Sequence, residues 1–218
     1  SGFIYALGVA DHFIRCGTYR NVLVVGAEIQ SNAVEHSERG RNIAVIFGDG
    51  AGAVVLQATE DSNHRILSTH LHSDGQFAEE LLMEHPGSVL KDRITHEMLD
   101  DGTMLPYMNG PVVFKHAVTR FAEVIDEALI FNGLSATDID LLIPHQANLR
   151  ISEFIREKLS LPESKVFNNI QKYGNTTAAS IPIALSEAVQ EGRLKSGDHL
   201  CLAAFGSGFT WASAMIRW

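Results

Sequence analysis

Two polar side chains in this sequence are placed where they could act on one carbonyl. The stretch Ile143-Pro144-His145-Gln146-Ala147-Asn148-Leu149-Arg150 follows the apolar run Leu141-Leu142-Ile143, so a buried strand delivers His145 to the mouth of a helix. Downstream, Tyr173-Gly174-Asn175-Thr176-Thr177-Ala178-Ala179-Ser180 sets Asn175 among small residues. A histidine and an asparagine held at the ends of core elements can donate hydrogen bonds to the same oxygen and stabilise charge that develops there. Other chemistry-bearing residue types form weaker patterns. His70 and His72 alternate onto one strand face, and Asp74 extends the row. Two imidazoles and a carboxylate suit zinc, but with no further strong ligand in sight the row is read as a solvated strand face. His96-Glu97 lacks the second histidine of a zinc-protease helix. No helix pattern follows Gly48-Asp49-Gly50-Ala51-Gly52. That motif is therefore read as a structural turn whose glycines permit close backbone approach, not as a nucleotide loop.

The elements that must position these groups alternate between helix and strand periods, which predicts an α/β layered fold. Phe3, Ile4, Leu7, Ala10, Phe13 and Ile14 mark a helix over 3–16, closed by Gly17. Asn21–Gly26 reads as a strand buried on both faces, and Ile43–Phe47 and Ala53–Leu56 read as strands joined by the glycine-rich turn. A strand is also expected over 64–74, then an irregular segment over 75–110 of the kind that is functional or connects halves. Pro111 opens a long helix that Asn132-Gly133 stops. Further on, the pattern predicts a strand over 139–143, a helix over 151–159, a short strand at 165–167 and a helix from Asn175 to about Gln190. Two final strands run over 199–205 and 210–217, joined by Gly206-Ser207-Gly208.

The 218 residues are 45% hydrophobic and 20% charged, enough apolar material for a core. A net charge of -9 argues against non-specific nucleic-acid binding. No apolar run reaches the ~20 residues of a membrane span. Cys16 and Cys201 stand far apart without a C-x-x-C partner, which argues against a disulfide framework and makes a reducing cytoplasm the default; both are read as core cysteines. The sequence lacks an initiator methionine and its helix pattern begins at once, which leads us to expect an upstream portion.

Pro144-His145-Gln146-Ala147-Asn148, the Asn175 motif, Phe205-Gly206-Ser207-Gly208-Phe209-Thr210-Trp211, Phe47-Gly48-Asp49-Gly50-Ala51-Gly52 and Met108-Asn109-Gly110 together resemble the β-ketoacyl-(acyl carrier protein) synthase III family. They occur in the family's order and cover nearly the whole chain. The resemblance implies a thiolase-like layered αβαβα fold. Residues 1–90 would be the remainder of the N-terminal half, and 91–218 the C-terminal half carrying His145 and Asn175. It implies a Cys-His-Asn set, with the cysteine in an Ala-Cys-Ser-Gly-Phe-type segment. Ser1-Gly2-Phe3 matches the residues just after that cysteine, which places the nucleophile immediately before Ser1. The Ser207 amide becomes the oxyanion donor, where the family often has glycine. Arg41 matches an arginine near the adenine end of coenzyme A, with Arg39 as a competitor because Gly40 replaces an acidic neighbour. Gly110, Phe114 and Asn148 match positions along the pantetheine tunnel, with Pro111 replacing a polar residue. Lys115, Arg150 and Lys158 match a basic docking patch for acyl carrier protein, in which Glu157 stands where a lysine can occur.

The activity so implied is a decarboxylating condensation of an acyl-coenzyme A with malonyl-acyl carrier protein, starting fatty acid synthesis. It would be carried out by a cytoplasmic homodimer with coenzyme A thioester as substrate and no tightly bound cofactor or metal. Two alternatives remain open at this point. One is a condensing enzyme or acyltransferase of secondary metabolism with the same fold. The other is a non-catalytic fragment or subunit without the cysteine. Segment 75–110 is expected to shape the acyl pocket.

Overall fold

The computed structural model describes residues 1–218. Helix α1 (Gly2–Arg15) ends at Gly17, whose φ of 73° is the left-handed conformation that glycine tolerates. Strands β1 (Asn21–Glu28) and β2 (Gly50–Gln57) pair antiparallel as a two-stranded ribbon. The main sheet has four strands in the order β3 (Arg65–Ser73), β8 (Thr210–Arg217), β7 (His199–Gly206), β6 (Leu141–Pro144). Only β6 and β7 run parallel.

Strand period 2 sorts the main sheet into two cores. Leu200, Leu202 and Ala204 of β7 face α1 and α7 (Ser180–Gln190), together with Leu141 and Ile143. Cys201, Ala203 and Phe205 face α4 (Gly110–Phe131) and α5 (Leu149–Lys158), together with Leu142 and Met215. A sheet covered on both faces reads as a continuous apolar run, as β6 does. Helices α1 and α7 also touch the β1–β2 ribbon, so the layers run ribbon, helices, sheet, helices.

Several local expectations are met. Gly133 (φ 66°) follows α4, and Ser135 and Asp138 form a capping box before β6. Others are corrected. Only one face of β1 is covered, because Leu23 and Val25 point outward at 62% and 55% exposure. Residues 43–47 are not a strand: a short helix α2 (Arg41–Ala44) precedes a single bridge from Phe47 to Asn175. The glycine motif is not a turn between strands, since β2 begins inside it at Gly50. Residues 165–167 make only one bridge, Val166 to Leu142. The helix expected from Asn175 starts at Ser180, after a short α6 (Ile170–Tyr173) and a tight turn over Thr177–Ala179. The irregular segment holds a small ladder of β4 (Leu81–Leu82) with β5 (Tyr107–Met108), and helix α3 (His96–Asp101).

Candidate active site

Because β6 and β7 are parallel and in register at Pro144 and Ala203, the residues that follow them leave the sheet at one edge. His145 comes off β6, its N–H donating to the Ala203 carbonyl at 2.8 Å. Ser207 comes off β7. Ser1, the N-cap of α1, docks on the same edge, its Oγ donating to the Thr210 carbonyl at 2.9 Å. Its nitrogen lies 3.8 Å from where a Cβ on Gly206 would stand. The N-terminus of α1, with its unpaired amides, therefore points at the turn that carries Ser207.

Asn175 enters from the ribbon side. Its N–H donates to Ile46 at 2.9 Å and its carbonyl accepts from Gly48 at 3.0 Å. A Cβ on Gly48 would collide with the Tyr173 carbonyl oxygen, and one on Gly52 would stand 2.9 Å from the Ile183 nitrogen. The glycine motif thus serves close backbone approach. Asn175 is buried, and its Oδ1 accepts from the Thr177 N–H at 2.8 Å. With Oδ1 occupied, Nδ2 is the group left to donate. Thr177 takes a left-handed φ of 46° in this arrangement, an unusual conformation for a β-branched residue.

His145 keeps a solvent-reachable edge, yet burial is the largest influence on its charge and lowers its pKa to about 3. The imidazole is then neutral at ordinary pH and offers one N–H donor. A free histidine titrates near 6.5, so below that pH the unfolded chain takes up a proton that the folded one refuses. His145 therefore subtracts stability as pH falls from about 6.5 towards 3, and nothing above that window. A His145→Gln variant should lose less thermal stability than the parent between pH 7 and 4. A parallel loss in both would contradict a buried neutral imidazole.

The cysteines are not the core pair expected. Cys201 is buried and its thiol is pushed up to about 12 by burial, whereas Cys16 is exposed beyond α1. Iodoacetamide at pH 8 should label Cys16 and spare Cys201 until the protein is unfolded, as read by peptide mass mapping.

The other sequence-selected residues fall into separate places. Gly110 opens α4, and a Cβ there would meet nothing. Phe114, one turn on, lies under the Arg150 guanidinium at 5.7 Å from the ring centroid. Asn148 caps α5, its Oδ1 accepting from the Arg150 N–H at 2.9 Å. Lys115 is exposed on α4, and Lys158 is exposed at the far end of α5, about 12 Å along the axis from Arg150. Arg39 is engaged by Glu35 and by the Asp100 carbonyl, whereas Arg41 is exposed and has no ion pair. Segment 75–110 meets the site: the Ser207 hydroxyl donates to the Leu81 carbonyl at 2.6 Å. His70 and His72 do share a face, but their partner is Glu127 of α4, at 3.2 and 2.6 Å. Burial pushes the Glu127 carboxyl up, and the two imidazoles more than offset this, leaving it lowered. Asp74 instead accepts from the Gln76 N–H, so the three residues form no zinc set.

Sequence reasoning missed Gln146, Asn169 and Glu187, buried or part-buried polar groups that join the two site loops. An amide directly beside His145 was the one available signal.

Residues 1–75 match the family model 3-oxoacyl-[acyl-carrier-protein (ACP)] synthase III, and residues 129–218 match its C-terminal model. The chain belongs to the 3-oxoacyl-[acyl-carrier-protein] synthase III family. It is 48% identical over 221 residues to β-ketoacyl-[acyl-carrier-protein] synthase III of Rhodospirillum centenum, covering 100% of this chain and 65% of that protein. It is 49% identical to the Xanthomonas campestris pv. campestris synthase III, covering 100% and 64%. The crystal structure of 3-oxoacyl-[acyl-carrier-protein] synthase III from Aquifex aeolicus superposes with a TM-score of 0.88 at 45% identity, over 100% of this chain and 64% of that one. The priming β-ketosynthase of the R1128 polyketide pathway superposes at 0.83 with 30% identity, over 99% and 62%. The chain thus spans about 65% of the length of the curated synthases it matches. Its layered α/β fold is that of synthase III, and no helix is long and apolar enough to cross a membrane.

Proposed function

We propose that the intact protein condenses an acyl-coenzyme A with malonyl-acyl carrier protein, releasing carbon dioxide and giving a β-ketoacyl-acyl carrier protein that starts a fatty acid. The observation that carries this reading is the common edge at which His145, the Ser207 turn and the N-terminus of α1 meet. We place the nucleophile in a cysteine directly before Ser1. There the α1 dipole and free amides favour the thiolate. The thiolate attacks the acyl-coenzyme A carbonyl. Charge on that oxygen is taken by the Ser207 N–H, and the coenzyme A thiolate leaves. Malonyl thioester then loses carbon dioxide, and the electron pair of the broken C–C bond moves into an enolate whose oxygen accepts from His145 and Asn175. The enolate carbon attacks the acyl-cysteine, a C–C bond forms, and the cysteine thiolate departs.

Arg41 is assigned to the adenine end of coenzyme A, in preference to the already paired Arg39. Gly110, Phe114 and Asn148 are assigned to the pantetheine path. Lys115, Arg150 and Lys158 are assigned to the acidic carrier protein, as exposed cations along α4 and α5 on a chain of net charge -9. We propose a homodimer, for which the outward Leu23, Val25 and Val55 supply apolar surface, and a cytoplasmic setting, supported by two unpaired cysteines. Greater identity to the fatty-acid synthases than to the polyketide priming enzyme favours primary metabolism.

The test uses the intact gene product. Acetyl-coenzyme A should leave one acetyl group on the residue before Ser1 by mass spectrometry, and carboxyl-labelled malonyl-acyl carrier protein should then release labelled carbon dioxide. An adduct without carbon dioxide points to an acyltransferase. No adduct at all overturns the covalent mechanism.

A further inference from the structure

The His145 and Asn175 loops are joined by a chain of polar groups that is buried at its Gln146 end and reaches the surface at Tyr173. The Gln146 side chain is 3% exposed. Its Nε2 donates to the Pro144 carbonyl at 2.7 Å and the Phe167 carbonyl at 3.3 Å. Its Oε1 accepts from the N–H groups of Asn169 at 2.9 Å and Ile170 at 3.1 Å. Both amide hydrogens and both acceptor directions are therefore used. Only a carboxamide of this length provides that set: glutamate lacks the donors, asparagine is one methylene short, and methionine has neither function. Asn169, also 3% exposed, carries the connection onward, its Nδ2 donating to Glu187 Oε2 at 2.9 Å. Glu187 Oε1 accepts from Tyr173 Oη at 2.6 Å and Lys172 Nζ at 3.3 Å. The Tyr173 bond is the main influence holding the Glu187 carboxyl below its usual range. One end of this chain is the residue next to His145. The other end grips α6 and Tyr173, two residues before Asn175.

We propose that Gln146 is a positioning residue that sets the separation of His145 and Asn175, acting through Asn169 and Glu187, and thereby governs the decarboxylation half of the reaction and not the acylation half. Acylation draws on the α1 terminus and the Ser207 turn, which the brace does not touch. Decarboxylation needs two donors on one oxygen, and a displacement of a fraction of an ångström in either weakens both. The inference rests on the proposed condensation.

The experiment compares Gln146→Met and Gln146→Glu with the parent in the intact protein. Acetyl transfer from acetyl-coenzyme A should stay within about two-fold. The kcat for carbon dioxide release should fall at least about ten-fold, with KM for malonyl-acyl carrier protein within about three-fold. In the glutamate variant the rate should recover as pH falls, because a protonated carboxyl regains one donor, and the methionine variant should show no such rise. Release within two-fold of the parent in folded variants overturns the proposal, as does an equal fall in both half-reactions. If neither variant folds, Glu187→Gln, at the less buried end of the brace, should show the same split at smaller amplitude, and its absence overturns the proposal. If the parent itself neither acylates nor decarboxylates, the proposed function fails instead. Amide hydrogen exchange then decides the brace: faster exchange over 145–149 and 173–177 in Gln146→Met supports it, and unchanged exchange overturns it.

Discussion

If the proposed condensation holds, replacing His145 by alanine is expected to cut carbon dioxide release from malonyl-acyl carrier protein by about 10² to 10³, the usual cost of one preorganised donor, while acetyl transfer to the proposed upstream cysteine persists. The asymmetry follows from placement. His145 leaves β6 beside Ser1, and in the proposed reaction it donates as a neutral imidazole, since burial keeps it uncharged. A neutral donor is suited to an enolate oxygen and does not depend on being protonated near pH 7. Asn175→Ala should show a loss of similar size, and the double variant should be little worse than either alone, because both donors serve one charge. Radiolabelled carbon dioxide release and intact mass, measured on the same preparations, check this. If acylation is lost in parallel, His145 is acting on the nucleophile instead.

Gly48→Ala should destabilise the fold by about 3 kcal/mol, roughly 6–12 °C in Tm for a chain of this size, and remove decarboxylation with it. The added methyl would collide with the Tyr173 carbonyl oxygen, a backbone atom that cannot rotate away. Relief requires the 173–175 strand of chain to retreat. That would break the bond from Gly48 N–H to the Asn175 carbonyl and the one from Asn175 N–H to Ile46. Gly75→Ala is the control, since a Cβ there meets nothing and Tm should stay within about 2 °C. Equal Tm in the two variants, by calorimetry, would show that the 47–52 motif does not need its glycine for close approach.

The period of the apolar residues decided the long elements. Helices α1, α4 and α5 and strands β7 and β8 lie where 3.6- and 2-residue spacing put them, because each buries a stripe or a face whose pattern is written locally. Capping groups such as Ser135 and Asp138 and stop signals such as Gly133 were local as well. The motifs around His145, Asn175 and Ser207 named the candidate site, since side-chain chemistry is a property of residue type. What only the tertiary structure decided are relations between distant segments. Residues 43–47 look like a strand by composition, yet the backbone there is committed to the Asn175 loop instead of a ladder. His70 and His72 were legible as a pair, but Glu127, the carboxylate they meet, is more than fifty residues away on α4. Cys16 and Cys201 have the same residue type and differ in burial alone. The Gln146–Asn169–Glu187 brace was invisible because its bonds join groups whose spacing in sequence carries no period. Sequence alone therefore determined which groups can donate, and folding determined which of the elements that carry them end beside one another. Periodicity records what one element buries, whereas a site is made where several elements end together.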